Sequence, residues 1–312
     1  MNIIIAGAGA MGSRFGYMLH KTGNDVILVD GWQDHIDAIK TNGLQGTFNG
    51  EEIKEEMTIY NQNELGSVEF AADLVILFTK AMQLDNMMNS LKEMVGEKTQ
   101  VLCLLNGIGH EDVVKKYVPE SNILLGNTMW TAGLDGPGKV TLFGNGSLEL
   151  QSLGNDEAIA NEVIEVLNVA ELNAKYSQHI RASIYKKACV NGTMNGLCTI
   201  LDSNMAGFGE TDVADAIVET IVKEFAAVGK HEGVDLDIPA VLAQIKTCYN
   251  RETIGLHHPS MYQDLIVSNR LTEIDYINGA IARKGLAYGV ETPYCTFLTQ
   301  LVHAKEQVLG AK

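Results

Sequence analysis

The sequence predicts an α/β protein of two domains, the first a parallel sheet wound with helices and the second all-helical. Three observations carry that expectation. Short apolar runs rich in Ile, Leu and Val alternate with helix-spaced apolar residues as far as about residue 172, and strand-like runs stop there. A glycine-rich hexad stands between the first such run and the first helical pattern. At 312 residues and 46% hydrophobic, the chain is long enough to bury two cores.

Residues 2–6, 25–30, 74–79, 101–105 and 122–126 read as buried strands, being continuous apolar runs rather than alternating ones. Met11, Phe15, Met18 and Leu19 mark a helix between the first two, which Gly23 ends. Residues 139–144 and 147–153 read as strands closing the domain, and 157–170 as a helix. Helices are expected next at roughly 180–198 and along the stripe Val213, Ile217, Ile221, Phe225 and Val228. Further helices are expected at 238–249, 272–288 and 294–309, the last just after Pro293. With no repeat or Pro-rich linker, the change of pattern alone sets the domains at 1–172 and 173–312.

A net charge of −16, from 39 acidic and 23 basic residues, argues against nucleic acid or an anionic membrane as partner. An anionic ligand must then be caught locally by helix N-termini and a few placed side chains. The five cysteines (103, 189, 198, 248 and 295) are scattered in apolar surroundings without CxxC or zinc spacing. They read as buried thiols of a reducing, cytoplasmic compartment. The absence of a basic leader and of an uncharged run of spanning length sets the expectation of neither secretion nor membrane insertion. His257 and His258 are adjacent, so their side chains diverge, and nothing nearby completes a set of ligands; no metal is expected.

Gly7-Ala8-Gly9-Ala10-Met11-Gly12 is a G-x-G-x-x-G that follows a strand, opens a helix and precedes a second strand ending in Asp30. This is the context of a dinucleotide site in a Rossmann domain. Gly7 permits the tight turn, Gly9 lets the backbone approach a pyrophosphate, and Gly12 allows close packing of helix on sheet. Ala10 and Met11 complete the turn at the helix N-terminus that attracts the phosphates. A carboxylate at Asp30 suits hydrogen bonds from ribose hydroxyls and repels a 2′-phosphate, and residues 31–34 offer no Arg or Lys to hold one, though a surface acid at a strand end would read the same. The prediction is NAD (NADH).

Lys187, Asn191 and Asn195 recur at i, i+4 and i+8 among apolar neighbours, placing one amine and two carboxamides on one face of a buried helix. A polar stripe there must face something polar: a bound substrate, or solvent if the helix lies at the surface. Lys186 projects about 100° away and aligns with Val190 instead. Glu273, after Thr272, fits either a site or simple complementation of a helix dipole, and Ser260, after Pro259, fits either a site or a turn. Lys80 and Asn106 end strands on the rim where such sheets bind ligands: Lys80 suits phosphate or ribose, Asn106 a carboxamide or a substrate oxygen. Ordinary loop residues would look the same.

The order of these motifs resembles the ketopantoate reductase family over nearly the whole chain: G-x-G-x-x-G, Lys80, Asn106-Gly107, K-x-x-x-N-x-x-x-N at 187–195, S-M-x-Q-D at 260–264 and T-E-I-D-Y-x-N-G at 272–279. The resemblance implies that Lys187 is the general acid, that Glu273 assists it, and that Asn191, Asn195 and Ser260 hold the substrate. It also implies that Lys80 and Asn106 act where cofactor and substrate meet. Asp30, and a segment 265–271 one residue longer than the reductase type, make the chain more similar to the family's NAD-dependent D-2-hydroxyacid dehydrogenases, such as D-mandelate and D-hydroxyisocaproate dehydrogenases. These would reduce bulky branched or aromatic 2-keto acids to D-2-hydroxy acids. A homodimer is expected, although the amphipathic C-terminal helices could equally bury their apolar faces within the domain. The alternative is an NADPH-dependent 2-dehydropantoate 2-reductase, and a third class is a non-catalytic NAD sensor.

Overall fold

The computed structural model describes residues 1–312, which divide into two compact units. The first is Met1–Leu105 with His110–Ile180; the second is Asn106–Gly109 with Arg181–Lys312. In the first, β1 (Asn2–Ala6), α1 (Ala10–His20), β2 (Asp25–Asp30) and α2 (Gln33–Asn42) lead to β3 (Leu44–Phe48), β4 (Glu51–Glu55) and β5 (Thr58–Asn61). Then come β6 (Ala72–Leu77), α3 (Leu84–Leu91), β7 (Val95–Cys103), α4 (Glu111–Val114), β8 (Ile123–Thr128) and β9 (Thr131–Gly136). β10 (Lys139–Phe143), β11 (Leu148–Ser152), α5 (Glu157–Val169) and β12 (Ala174–Tyr176) complete it.

The main sheet runs β12-β11-β8-β7-β6-β1-β2-β5, parallel from β5 through β8. Ile3, Ile4, Ile5 and Ala6 are wholly buried, as a strand with helices on both faces requires. Strand order reverses at β1, with β2 on one side and β6 on the other, so the turn after β1 lies at the switch point where such sheets bind ligands.

Several expectations need correction. Residues 139–143 do not close the main sheet: β10 pairs with β3 and β9 in a separate sheet ordered β4-β3-β10-β9. That sheet's short, charged or Gly-containing strands carry little apolar signal, which is why residues 44–55 and 131–136 gave no strand pattern. The break between units falls at Ile180/Arg181 rather than 172, because the three-residue β12 adds to the sheet edge alongside β11. Arg14 fastens α1 to the second sheet: fully buried, it donates to the carbonyls of Thr131 (2.7 Å), Phe143 (2.9 Å) and Gly144 (3.2 Å), its guanidinium over Trp130.

The second unit is helical, with α6 (Ile180–Leu201), α7 (Met205–Gly209), α8 (Ala214–His231), α9 (Ile238–Thr247), α10 (Ser260–Tyr262), α11 (Asn278–Tyr288) and α12 (Pro293–Leu309). Its core gathers Tyr185, Cys189, Met194, Phe225, Val228, Ile281 and Val302. Val213 lies outside the expected stripe, exposed just before α8, while Val218 and Val222 are inside. Glu224 of α8 is buried and its two carboxylate oxygens accept from the N–H groups of Tyr294 and Cys295 at 2.8 Å, satisfying the start of α12. The helix expected over 272–288 starts only at Asn278; Ile274–Tyr276 is a 3₁₀ turn. No helix is long and apolar enough to cross a membrane.

Candidate active site

In the first unit the site is made of backbone. Gly7 has φ +101°, and a Cβ there would meet the Thr79 nitrogen at 2.5 Å. A Cβ on Gly12 would lie 1.8 Å from the Gly7 carbonyl oxygen, whereas one on Gly9 would have nothing within 4 Å. So Gly7 and Gly12 are dictated by packing, and Gly9 leaves the mouth of α1 open. Ala10 and Met11 are half-buried there, and α1 has neither a side-chain cap nor an acid in its first turn. An open, uncapped helix start fits a pyrophosphate.

Asp30, half-buried at the end of β2, accepts from the N–H of Ala8 at 2.6 Å and from those of Gly31 and Trp32 at 2.8 Å each. Three backbone N–H groups thus fix where this carboxylate stands at the end of β2. Lys80 is exposed just after β6.

In the second unit the candidate residues are side chains on four segments. Lys187 is half-buried on α6; burial pushes its pKa below the ordinary lysine value, and the Glu273 carboxylate opposes that shift. Lys186 is exposed. Asn191 is half-buried one turn along, and Asn195, buried after a further turn, donates to Ser260 Oγ at 3.4 Å.

Ser260 is exposed at the start of α10, which passes into a π-turn over Gln263–Val267 marked by Ser268 N–H donating to the Gln263 carbonyl five residues back. Asn106 is half-buried; Gly107 (φ +106°) has room for no Cβ against the Tyr276 carbonyl, 2.3 Å away, and Ile108 N–H donates to that carbonyl at 2.8 Å. The turn carrying Asn106 is thus seated on the segment that follows Glu273.

Sequence reasoning missed the supports. Glu306 is buried and accepts the Thr272 N–H at 2.8 Å, while Thr272 Oγ1 accepts from Ile274 N–H at 3.3 Å, fixing the backbone on both sides of Glu273. A signal for it existed: Leu298, Val302 and Glu306 share one stripe of α12, and an acid on an apolar stripe needs a partner. Asn278, fully buried, donates to the Gly192 carbonyl at 3.0 Å and ties α11 to α6.

Residues 3–155 match the family model described as ketopantoate reductase PanE/ApbA, and residues 179–306 match that of its C-terminal part. The chain is 63% identical to a 2-dehydropantoate 2-reductase of Lactococcus lactis subsp. lactis, with 100% of both chains covered. The chain belongs to the ketopantoate reductase family. Among further relatives of this family, a 2-dehydropantoate 2-reductase of Streptococcus pyogenes serotype M6 is 49% identical over 99% of each chain. The solved ternary structure of D-mandelate dehydrogenase with NADH and anilino(oxo)acetate is 60% identical, with TM-score 0.94 over 99% of this chain and 100% of that one. Membership of the ketopantoate reductase family makes the protein an oxidoreductase acting on a CH–OH donor.

Proposed function

We propose that the protein is a 2-dehydropantoate 2-reductase, reducing the 2-keto acid to its 2-hydroxy acid with a nicotinamide dinucleotide. The observation that carries the chemistry is Lys187: an amine whose pKa is lowered by burial, opposed by the carboxylate of Glu273. The choice of 2-dehydropantoate rests on the 63% identical relative of that name. When bound, the reduced dinucleotide supplies a hydride to the keto carbon. Lys187 Nζ donates a proton to the keto oxygen as negative charge builds there, and Glu273 keeps the amine protonated against the cost of its burial. Asn191, Asn195 and Ser260 offer hydrogen bonds to the substrate's carboxylate and hydroxyl groups. Lys80 serves phosphate or ribose, and Asn106 serves a carboxamide or a substrate oxygen.

Asp30 favours NADH over NADPH, because a 2′-phosphate would approach a carboxylate that the backbone holds in place. The same residue, with the 60% identical D-mandelate dehydrogenase solved with NADH, favours a second reading: an NAD-dependent D-2-hydroxyacid dehydrogenase for bulky branched or aromatic 2-keto acids. A cytoplasmic location is part of the proposal, supported by five buried cysteines without a disulfide. So is a homodimer, supported by the exposed Leu286, Phe297 and Val308 on α11 and α12 and tested by light scattering.

Initial rates with NADH and NADPH on 2-dehydropantoate, 2-ketoisocaproate and phenylglyoxylate separate the readings. The proposal expects 2-dehydropantoate to be the best substrate; dominant activity on the other two replaces it with the second reading. Equal rates with both cofactors, or no change in preference in Asp30→Ala, would remove Asp30 from the ribose site.

A further inference from the structure

We propose that Trp32 is the platform on which the adenine of the bound dinucleotide stacks, with Asp30 and His35 holding the indole in place. The inference rests on the dinucleotide reading above and adds a residue for the end of the cofactor farthest from the chemistry.

The chain has two tryptophans, and they are used in opposite ways. Trp130 is 7% exposed and its Nε1–H donates to the Leu172 carbonyl at 2.8 Å. Trp32 is 41% exposed, at the start of α2, two residues past Asp30. It lies parallel on the imidazole of His35, with centroids 5.2 Å apart and planes 10° from coplanar.

His35 is fully buried and both ring nitrogens are engaged: Nδ1 accepts the Gly138 N–H at 3.0 Å, so Nε2 carries the proton and donates to the Ala8 carbonyl at 2.9 Å. The ring cannot rotate without losing both bonds. Burial lowers the His35 pKa, outweighing the charge of Asp30 and the bond to Ala8, and keeps this stack neutral.

The indole is also fixed through its backbone. Asp30 Oδ1 accepts the Trp32 N–H at 2.8 Å while Oδ2 accepts the Ala8 N–H at 2.6 Å. Both tethers of Trp32, one through Asp30 and one through His35, therefore end on Ala8, inside the glycine turn. Pyrophosphate at that turn and ribose at Asp30 leave the base as the next group outward, and Trp32 is the next side chain outward. A purine needs a flat surface there, and an anchored indole with a solvent-facing side supplies one.

Isothermal titration of the wild type, Trp32→Ala and Trp32→Phe with NADH, NADPH and ADP-ribose tests this, with kcat/KM for reduced nicotinamide mononucleotide, which lacks adenine, as the control. Trp32→Ala is expected to bind NADH and ADP-ribose about 5- to 100-fold more weakly, with the mononucleotide control unchanged and most of the affinity restored in Trp32→Phe. Affinity for NADH within twofold of wild type in Trp32→Ala overturns the platform, as does an equal loss with the mononucleotide. A wild type that binds neither NADH nor NADPH fails the dinucleotide reading first, and the platform with it.

Discussion

The glycine turn and the Lys187 cluster solve two binding problems with opposite materials. Around Gly7–Gly12 the surface is backbone, and all of it comes from thirty contiguous residues, closed by Asp30 bonding back to Ala8. Around Lys187 the candidate groups are side chains brought together from distant segments, Lys187 with Glu273 and Asn195 with Ser260. The difference follows from the tasks. A pyrophosphate is recognised by N–H dipoles any sequence can present, so the constraint falls on where a Cβ is forbidden. Proton donation needs one particular amine with a shifted pKa, so the constraint falls on burial and on a charged neighbour.

The contrast can be broken at either end. Lys187→Ala should lower kcat about 10²- to 10⁴-fold while leaving the Kd for NADH unchanged, since only the proton donor is lost; stopped-flow and titration read the two halves separately. A near-normal kcat would move the chemistry elsewhere. In the other region, Gly12→Ala drives a Cβ against the Gly7 carbonyl and should cost about 1–3 kcal/mol or more in thermal unfolding. Gly9→Ala, with open space around its Cβ, should leave the apo Tm unchanged and weaken only the cofactor. If both variants lose stability alike, the open mouth of α1 is not a ligand surface.

The pH dependence sharpens the second region. With Lys187 as the proposed proton donor its acid form is the active one, so kcat/KM should fall as pH rises through a pKa below the ordinary lysine value. Glu273 holds that pKa up, so Glu273→Gln should move the alkaline limb to lower pH; a limb that stays in place would show that the carboxylate does not act on the amine. Asn195→Ala, losing one hydrogen bond to Ser260 and one donor, should reduce kcat/KM about 2- to 10-fold, mostly through KM.

The smallest effect is at His303, whose Nδ1 and Nε2 meet Glu306 (2.8 Å) and Asp275 (3.1 Å). Burial lowers its pKa, but the two carboxylates outweigh that and leave it raised. A raised folded-state value means the stabilisation is complete below the unfolded pKa, about 6.5, and is lost as pH climbs through the raised value. His303→Ala should therefore show a slightly lower Tm than the wild type at pH 6 and no difference at pH 9, in buffered thermal melts.

The legibility of the two regions differed for the same reason. The turn, its strand and Asp30 were readable because their contacts are local and their periods are fixed by strand and helix geometry. The second sheet was not, because strands such as Glu51–Glu55 take their place from pairing rather than from apolar pattern. Lys187 was separable from Lys186 by helical phase alone, and the structure leaves Lys186 exposed.

By itself, the sequence determined most strands of the main sheet, the glycines that a turn and a packed helix require, the acid at the end of β2 and the polar stripe of α6. Each of these follows from steric and periodic rules that act within a few residues. Only the tertiary structure decided that Glu273 influences Lys187, that Ser260 meets Asn195, that Gly107 seats Asn106 on Tyr276, and that Glu306 and His35 stand behind the two sites. Those pairings span tens to more than a hundred residues of chain. They are fixed by which buried polar group finds a partner when the cores close, a long-range condition that no local pattern encodes.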